Sequence, residues 1–372
     1  MKTIETFCDK ELSYPFPFPK EEILFFDIET TGFSPKTSAL YLIGVLFFKE
    51  GQWKCIQWFA DDYSSESSIL SAFFSFLQHF KYLIHFNGST FDLPFIQKKC
   101  MQHGLEGDIY TFSNVESLDL YKEIFPHRKR IALSNLKQKS LETFLQIERE
   151  DTYTGKELIT FYQNYLKAIK LQEQNQAQEL EYFLLLHNRD DLVGMLQFSS
   201  LMYLVDLLNG NISFLSFNVE QEDTIVIFRG RLPFHFPATY QWKGPTSLLS
   251  ITDDTLTLIL SAYTTELKYF YPNYKEYFYL PAEDTAIHKS VASYVDKEFR
   301  QKATKDTCYM KQSGLFLPAY SPKLYPLFQE NRQAKEQFLL LNEDFLADEN
   351  LQLLYIQSFL KHCPDLCLEK IV

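Results

Sequence analysis

The feature that most limits what this 372-residue chain can fold into is an apolar run, Ile23-Leu24-Phe25-Phe26, that leads directly into Asp27-Ile28-Glu29. Strand side chains alternate, so residues two apart share a face. Asp27 and Glu29 therefore project together from the end of a buried strand. Two carboxylates side by side in a half-buried setting repel unless a cation lies between them. A strand running out into a solvated acidic turn has the same pattern. The choice between the two readings turns on whether more carboxylates arrive from elsewhere in the chain.

The elements around this strand follow from periodicity. Residues 1–20 read as an N-terminal extended arm, with Pro15, Pro17 and Pro19 alternating with Phe16 and Phe18. Ile23 to Ile28, Ala39 to Phe48 and Trp53 to Phe59 read as three strands joined by short turns, an antiparallel meander. Ser64 to Phe80 has helical period. Tyr82 to Phe86 is a short buried strand, Phe91 to His103 a helix ended by Gly104, and Val115 to Leu120 a fifth strand carrying Asp119. Leu133 to Phe144, the stretch opened by Thr154-Gly155-Lys156, and Glu179 to Leu208 read as helices, and Asn209-Gly210-Asn211 closes the last. This order predicts an α/β fold: a mixed five-stranded sheet with helices on both faces over residues 21–209. Residues 210–372 read as a smaller α+β accessory domain. Its short aromatic-rich strands run over 214–233, 240–260 and 267–280, and its helices over 286–304 and 336–363.

Two further places carry acids where elements begin or face inward. Asp92 follows a strand and opens a helix in His85-Phe86-Asn87-Gly88-Ser89-Thr90-Phe91-Asp92. His187 and Asp191 are four apart on a helix and share one face with Leu184 and Met195, which turns Asp191 toward the sheet. Four carboxylates without cysteine or clustered histidine ligands make a hard, oxygen-rich site suited to Mg²⁺ or Mn²⁺. Two such ions suit phosphodiester hydrolysis, and His187 is placed to take a proton from the attacking water. Taken singly, Asp92 also fits a helix cap and His187 a structural histidine.

Taken together, the three motifs resemble those of the DEDD, or DnaQ-like, 3′-5′ exonuclease superfamily on the ribonuclease H-like fold. Asp-Ile-Glu-Thr-Thr-Gly at 27–32 resembles the first motif, Asn87 to Asp92 the second, and His187 to Asp191 the third. Ser117-Leu118-Asp119-Leu120, then Leu133-Ser134-Asn135-Leu136 through Leu141-Glu142, is similar to the YprB-like branch. The resemblance covers roughly residues 20–208. It implies Asp27, Glu29, Asp92 and Asp191 as metal ligands and catalytic residues. The third motif departs from the pattern: the tyrosine branch has Tyr-x-x-x-Asp and the histidine branch usually His-x-x-x-x-Asp, whereas His187 stands at the tyrosine spacing. This leaves the base open. His187 is the preferred candidate because a neutral imidazole accepts a proton better than a phenol near pH 7. Asp190 is the alternative fourth ligand, and Asp119 reads as structural.

On the substrate side, the acid-free segment Phe125 to Leu141 holds Arg128, Lys129, Arg130 and Lys137. It reads either as a basic wall for a polyanion, with Arg128, Arg130 and Lys137 binding substrate, or as a solvated loop. Thr30, Thr31 and Phe33 on one side, and Asn87 and Phe91 on the other, are placed to hold a terminal nucleotide by backbone contact and stacking. A core role for Phe91 fits equally. In the second domain, aromatics and bases interleave from Tyr274 to Lys311, as in a nucleic-acid surface or an ordinary amphipathic helix on a sheet.

The net charge of −12 excludes broad, nonspecific attraction to nucleic acid or anionic membranes, though not a local basic groove. The six cysteines are scattered and read as reduced thiols of a cytoplasmic protein. No signal-type segment opens the chain, and no apolar run reaches membrane-spanning length. The expected function is a metal-dependent 3′-5′ exonuclease acting on single-stranded DNA or RNA. A catalytically silent nucleic-acid-binding or scaffold protein on the same fold and a structure-specific endonuclease are the alternatives.

Overall fold

The structure, a computed structural model, describes residues 1–8, 14–236 and 238–371. The chain divides into two units, Met1–Lys129 with Leu133–Val205, and Arg130–Ala132 with the chain from Asp206 onward.

The first unit is built on a sheet of β1 (Lys2–Cys8), β2 (Ile23–Thr30), β3 (Leu40–Lys49), β4 (Gln52–Phe59), β5 (Tyr82–His85) and β6 (Glu116–Asp119). The strand order is β1-β4-β3-β2-β5-β6. The meander β2-β3-β4 is antiparallel, and β5 and β6 continue it in parallel beyond β2. The sheet is mixed, as the sequence predicts, but has six strands rather than five. The sixth is β1, which lies antiparallel on β4 from Lys2 against Phe59 to Cys8 against Trp53. Residues 2–8 are thus part of the sheet and not of an arm. Ile4, Thr6 and Cys8 alternate with more exposed Thr3, Glu5 and Phe7, a two-residue period carried by a β-branched stretch. Residues 14–19 form no strand and bend at Pro17 and Phe18; the Tyr14 hydroxyl donates to Phe18 O at 2.7 Å, and Phe18 stacks on Tyr82 at 3.8 Å. Residues 9–13 of the predicted arm lie outside the described residues.

Helices α1 (Glu66–Leu77), α2 (Asp92–His103), α3 (Glu106–Ile109), α4 (Leu120–Ile124), α5 (Gln138–Leu145), α6 (Gly155–Leu171), α7 (Gln174–Phe198) and α8 (Leu201–Leu208) follow, and the division between units falls within α8. Adjacent residues of β2 show that both faces of the sheet are covered. Phe26 stacks on Phe73 of α1 at 5.5 Å, while Asp27 accepts a hydrogen bond from Asn188 of α7. With both faces buried, β2 and β3 read as near-continuous apolar runs rather than as alternating ones. Gln174–Leu208 is long and apolar enough to cross a membrane, which corrects the expectation that no run reaches that length. Yet 78% of its most apolar window is buried inside the protein, as in a core helix.

α7 reaches the sheet at Gly44. This residue pairs with Asp27 across β2 and β3, and a Cβ there would lie 1.8 Å from Asn188 Oδ1. Asn188 is fully buried, accepts from Gln57 Nε2 at 2.9 Å and donates to Asp27 Oδ2 at 2.9 Å. The absent side chain is what lets a buried amide bridge α7 to two strands.

The second unit is mostly antiparallel β. Its strands are β7 (Ser216–Glu222), β8 (Ile225–Arg231), β9 (Thr239–Lys243), β10 (Ser247–Thr252), β11 (Thr255–Ser261), β12 (Tyr263–Phe270), β13 (Tyr277–Leu280), β14 (Thr285–His288), β15 (Gln301–Lys302), β16 (Tyr309–Ala319), β17 (Leu327–Phe328), β18 (Gln337–Leu341) and β19 (Glu369–Ile371). They form sheets ordered β19-β9-β10-β11-β8-β7, β12-β16-β18-β17 and β14-β13-β15. Its helices are α9 (Lys289–Ala292), α10 (Glu343–Ala347) and α11 (Glu349–His362). The helix expected over 286–304 is instead β14, the single turn α9 and β15. The helix expected over 336–363 opens as strand β18. Asn342 and Asp348 then cap α10 and α11 through their side chains, so the helical pattern starts only after the strand. α11 covers the six-stranded sheet, with Tyr355 stacked on Phe228 at 5.5 Å and Phe359 edge-on to Trp242 at 5.8 Å.

Substituting Gly44→Ala forces Asn188 off Asp27 or pushes α7 from the sheet. Overpacking of this kind should lower the unfolding free energy by about 1–3 kcal/mol. Urea denaturation checks this, and an unchanged midpoint would show that Asn188 can move without cost.

Candidate active site

The first unit brings the acids together at the ends of its strands. Asp27 and Glu29 lie at the end of β2, where a bulge between Glu29 and Thr30 turns the strand away from regular pairing. Asp92 is the first residue of α2 and is buried. His187 and Asp191 come from α7. One oxygen of Glu29, one nitrogen of His187 and one oxygen of Asp191 lie within 4.8 Å of one another. His187 Nε2 stands 3.7 Å from Glu29 Oε1 and 3.5 Å from Asp191 Oδ2.

The electrostatics follow from crowding. Burial, then the charges of Asp191, Glu29 and Asp92, push the Asp27 carboxyl well above the usual range, against the Asn188 hydrogen bond. Burial pushes Glu29 up to about 7, with Asp191 and Asp92 adding to it and His187 and Arg149 opposing it. Burial likewise lifts Asp92 to about 7, against backbone N–H groups that favour its charged form. Burial alone would lower His187, but Glu29, Asp191 and Asp151 outweigh it and raise its value.

The loop carrying the second motif is held by Asp119. Asp119 accepts from the backbone N–H of Asn87 at 2.8 Å, of Ser89 at 3.3 Å and of Tyr121 at 3.1 Å, and from the Ser89 hydroxyl. This is the structural role expected of it. Asn87 takes a left-handed conformation with φ 59°, and a Cβ at Gly88 would lie 2.8 Å from His85 Nδ1 and 3.2 Å from Asp92 Oδ2. The turn and the missing side chain let the chain double back so that Asp92 opens its helix beside β2.

Among the expected substrate contacts, Thr30 and Thr31 are engaged in their own turn. Thr30 Oγ1 donates to Gly32 O at 2.9 Å, and Thr31 Oγ1 accepts from Ala39 N at 2.8 Å. The Asn87 side chain accepts from Thr90 Oγ1 at 2.9 Å. Phe91 is half-buried, and its outer edge meets Phe33, whose centroid is 6.1 Å away and which is 91% exposed. Arg128 is half-buried, Lys137 is exposed, and neither makes an ion pair among the described residues. Arg130 corrects the expectation of a substrate contact. It belongs to the second unit, where its guanidinium donates to Leu208 O at 3.0 Å and to Leu360 O, so its donors satisfy helix carbonyls. Asp190, the alternative ligand, is also engaged: its Oδ2 accepts from Glu150 N at 3.0 Å and Asp151 N at 2.8 Å.

Sequence reasoning missed Arg149, Asp151 and Asn188. Arg149 Nη1 lies 2.5 Å from Asp191 Oδ1 and 3.2 Å from Glu142 Oε1, and Nη2 lies 3.0 Å from Asp151 Oδ2. Asp151 Oδ2 lies 2.7 Å from His187 Nδ1. The run Glu148-Arg149-Glu150-Asp151 has no period and reads as a solvated loop. Asn188 did leave a signal: it sits at helical spacing between Leu184 and Leu192 on the buried stripe.

Residues 24–203 match the family model RNase_H_2, of the RNase_H superfamily. The match covers just under half of the chain, and the first unit has the ribonuclease H-like fold. Among solved structures, the chain is similar to the family B DNA polymerase of the hyperthermophilic archaeon Pyrobaculum calidifontis, at 12% identity and TM-score 0.38, over 67% of this chain and 34% of that one. It is also similar to the zinc-bound E. coli exonuclease I–single-stranded DNA complex, at 10% identity and TM-score 0.32, over 62% of this chain and 54% of that one. The complex of the same E. coli enzyme with a dT13 oligonucleotide aligns at 10% identity and TM-score 0.30, over 62% and 54% of the two chains. The chain thus spans about a third of the polymerase and about half of the exonuclease. No curated protein matches the sequence.

The donor set of this ribonuclease H-like domain fits a hard divalent cation: carboxylate oxygens with one imidazole, gathered where the acids cannot all ionise unaided. The raised carboxyl values give a sign for stability. Without a cation, the folded protein keeps protons that the unfolded chain releases above about pH 4. Stability is then lost as pH rises through that window, and the raised His187 value acts in the same direction. Thermal unfolding in EDTA should show Tm falling from about pH 5 to about pH 8, with Mg²⁺ restoring part of it at the upper end. A Tm that climbs across this window would contradict the crowding.

Proposed function

We propose that the protein is a metal-dependent nuclease, with 3′-5′ exonuclease action on single-stranded DNA or RNA as the reading its residues support best. The observation that carries it is the meeting of Glu29 and Asp191 around His187, with Asp27 buried within reach of the charges of Asp191, Glu29 and Asp92, in a ribonuclease H-like domain. Asp27, Glu29, Asp92 and Asp191 would hold two Mg²⁺ or Mn²⁺ ions. Such ions would supply charge neutralisation at the phosphoryl oxygens and activation of the attacking water. His187 Nε2, facing Glu29 and Asp191, is the group set to receive the proton. Asn188 holds Asp27 in place, and Arg149 does the same for Asp191 while offsetting part of the local negative charge. The exposed ring of Phe33, set edge-on against Phe91, offers a stacking face for a terminal base, which favours an unpaired strand end over a duplex. Arg128 and Lys137 carry charge free to meet backbone phosphates.

The test uses 5′-labelled single-stranded DNA and RNA with Mg²⁺ or Mn²⁺. Wild type should produce a ladder shortening from the 3′ end, lost in EDTA and in Asp27→Asn. Substituting His187→Ala should slow it by about 10²–10⁴-fold. Internal cuts on circular substrates would move the reading to an endonuclease. No cleavage of any substrate, with binding retained, would leave a silent nucleic-acid-binding fold.

A further inference from the structure

His187 Nδ1, on the side of the ring away from the carboxylate cage, has two close polar neighbours. Asp151 Oδ2 lies at 2.7 Å and Arg149 Nη2 at 3.3 Å. A guanidinium can only donate and a carboxylate can only accept, so Nδ1 cannot serve both. The shorter contact goes to Asp151, whose side chain is wholly enclosed, with no solvent to replace a lost donor. This assigns the proton to Nδ1 and the lone pair of the neutral ring to Nε2, the nitrogen that faces Glu29 and Asp191.

Asp151 is itself anchored from every side. Its Oδ2 also accepts from Arg149 Nε at 3.2 Å and Nη2 at 3.0 Å, and its Oδ1 accepts from Tyr153 N at 3.1 Å. Its backbone N–H donates to Asp190 Oδ2 at 2.8 Å. Asp190 and His187 both belong to α7, so the loop that carries Asp151 is fastened to the helix whose histidine it contacts. Arg149 closes the arrangement by reaching from Asp151 to Asp191 on that same helix. The ring of His187 therefore faces Asp191 of α7 and Glu29 of β2 on its Nε2 side, and a loop pinned to α7 on its Nδ1 side.

We propose that Asp151 is the positioning residue for His187, fixing the Nδ1–H tautomer and turning Nε2 into the acid cage. Asp151 touches no reacting atom; it acts through the imidazole. Its kinetic consequence rests on the nuclease reading above, but the tautomer does not, and the two are measured separately.

The direct measurement is long-range ¹H–¹⁵N correlation on the full chain labelled with ¹⁵N-histidine, followed upward from about pH 9 until the His187 ring carries a single proton, because its carboxylate neighbours hold its value above that of an exposed imidazole. His187 is assigned by its loss in His187→Gln. Wild type should show a protonated Nδ1 and a bare Nε2. In Asp151→Ala only the Arg149 donor faces Nδ1, so the proton should move to Nε2. Asp151→Glu should return part of it to Nδ1. In the nuclease assay, Asp151→Ala should lower kcat by about 10²-fold or more while KM changes by less than about threefold. Asp151→Glu should recover part of that loss. A neutral wild-type ring that carries its proton on Nε2 overturns the proposal whatever the variants do. So does an unchanged tautomer in folded Asp151→Ala, or an unchanged kcat in a variant whose tautomer has moved. If wild type cleaves nothing, the nuclease reading fails and the spectra alone decide the role of Asp151.

Discussion

The first unit is organised by the cost of holding several carboxylates together away from water. Asp27, Glu29 and Asp92 all sit where burial pushes their values up, and each feels the charge of Asp191. Charged and unpaired, such a group would cost several kcal/mol. The fold offsets part of that cost with three fixed groups. Asn188 donates to Asp27, Arg149 donates to Asp191, and His187 lies between Glu29 and Asp191. Two of the three are on α7 and the third is fastened to it, so the compensation depends on how closely α7 approaches the sheet. That approach is possible because Gly44 has no side chain. One missing methyl group on β3 thus fixes where the acids of β2 find their partners.

The architecture of the first unit was legible because its strands and helices are long and strongly periodic. Asp27, Glu29, Asp92, His187 and Asp191 sit at the ends or on the inner faces of such elements, where alternation and helical spacing set a side chain's direction. What escaped reading lies where period is absent. Arg149 and Asp151 are in a charged loop whose local pattern is that of a solvated turn. Their burial comes from contacts with α7, more than thirty residues further along the chain. β1 escaped for a different reason: an edge strand needs pairing on only one side, and its alternation is short beside the proline-rich stretch that follows. Arg130 lay among other bases and read as one of them, yet its environment is set by helix carbonyls distant in sequence, Leu208 and Leu360.

The second unit shows the limit of local pattern more plainly. Ala286 to Thr304 carries apolar and basic residues at spacings compatible with a helix. It folds as short strands because Tyr277 to Leu280 offers a ladder to Thr285 to His288 on one side and to Gln301-Lys302 on the other. A helix there would give up those bonds and expose Ala286 and Ala303, which close a small core with Cys308. Tertiary pairing overrides propensity where the segment is short.

The four-residue spacing of His187 and Asp191 has a consequence that helix geometry makes clear. At 100° per residue, four residues bring side chains to within about 40° of each other around the helix, whereas five separate them by about 140°. The shorter spacing lets one rigid helix present imidazole and carboxylate to the same point, with Nε2 and Oδ2 3.5 Å apart. It also leaves the opposite ring nitrogen facing outward from the cage, where a donor-only or acceptor-only neighbour must choose its protonation. A phenol at this position would need no such neighbour, because a phenol has a single polar atom. An imidazole does, and the buried carboxylate of Asp151 stands where that need arises.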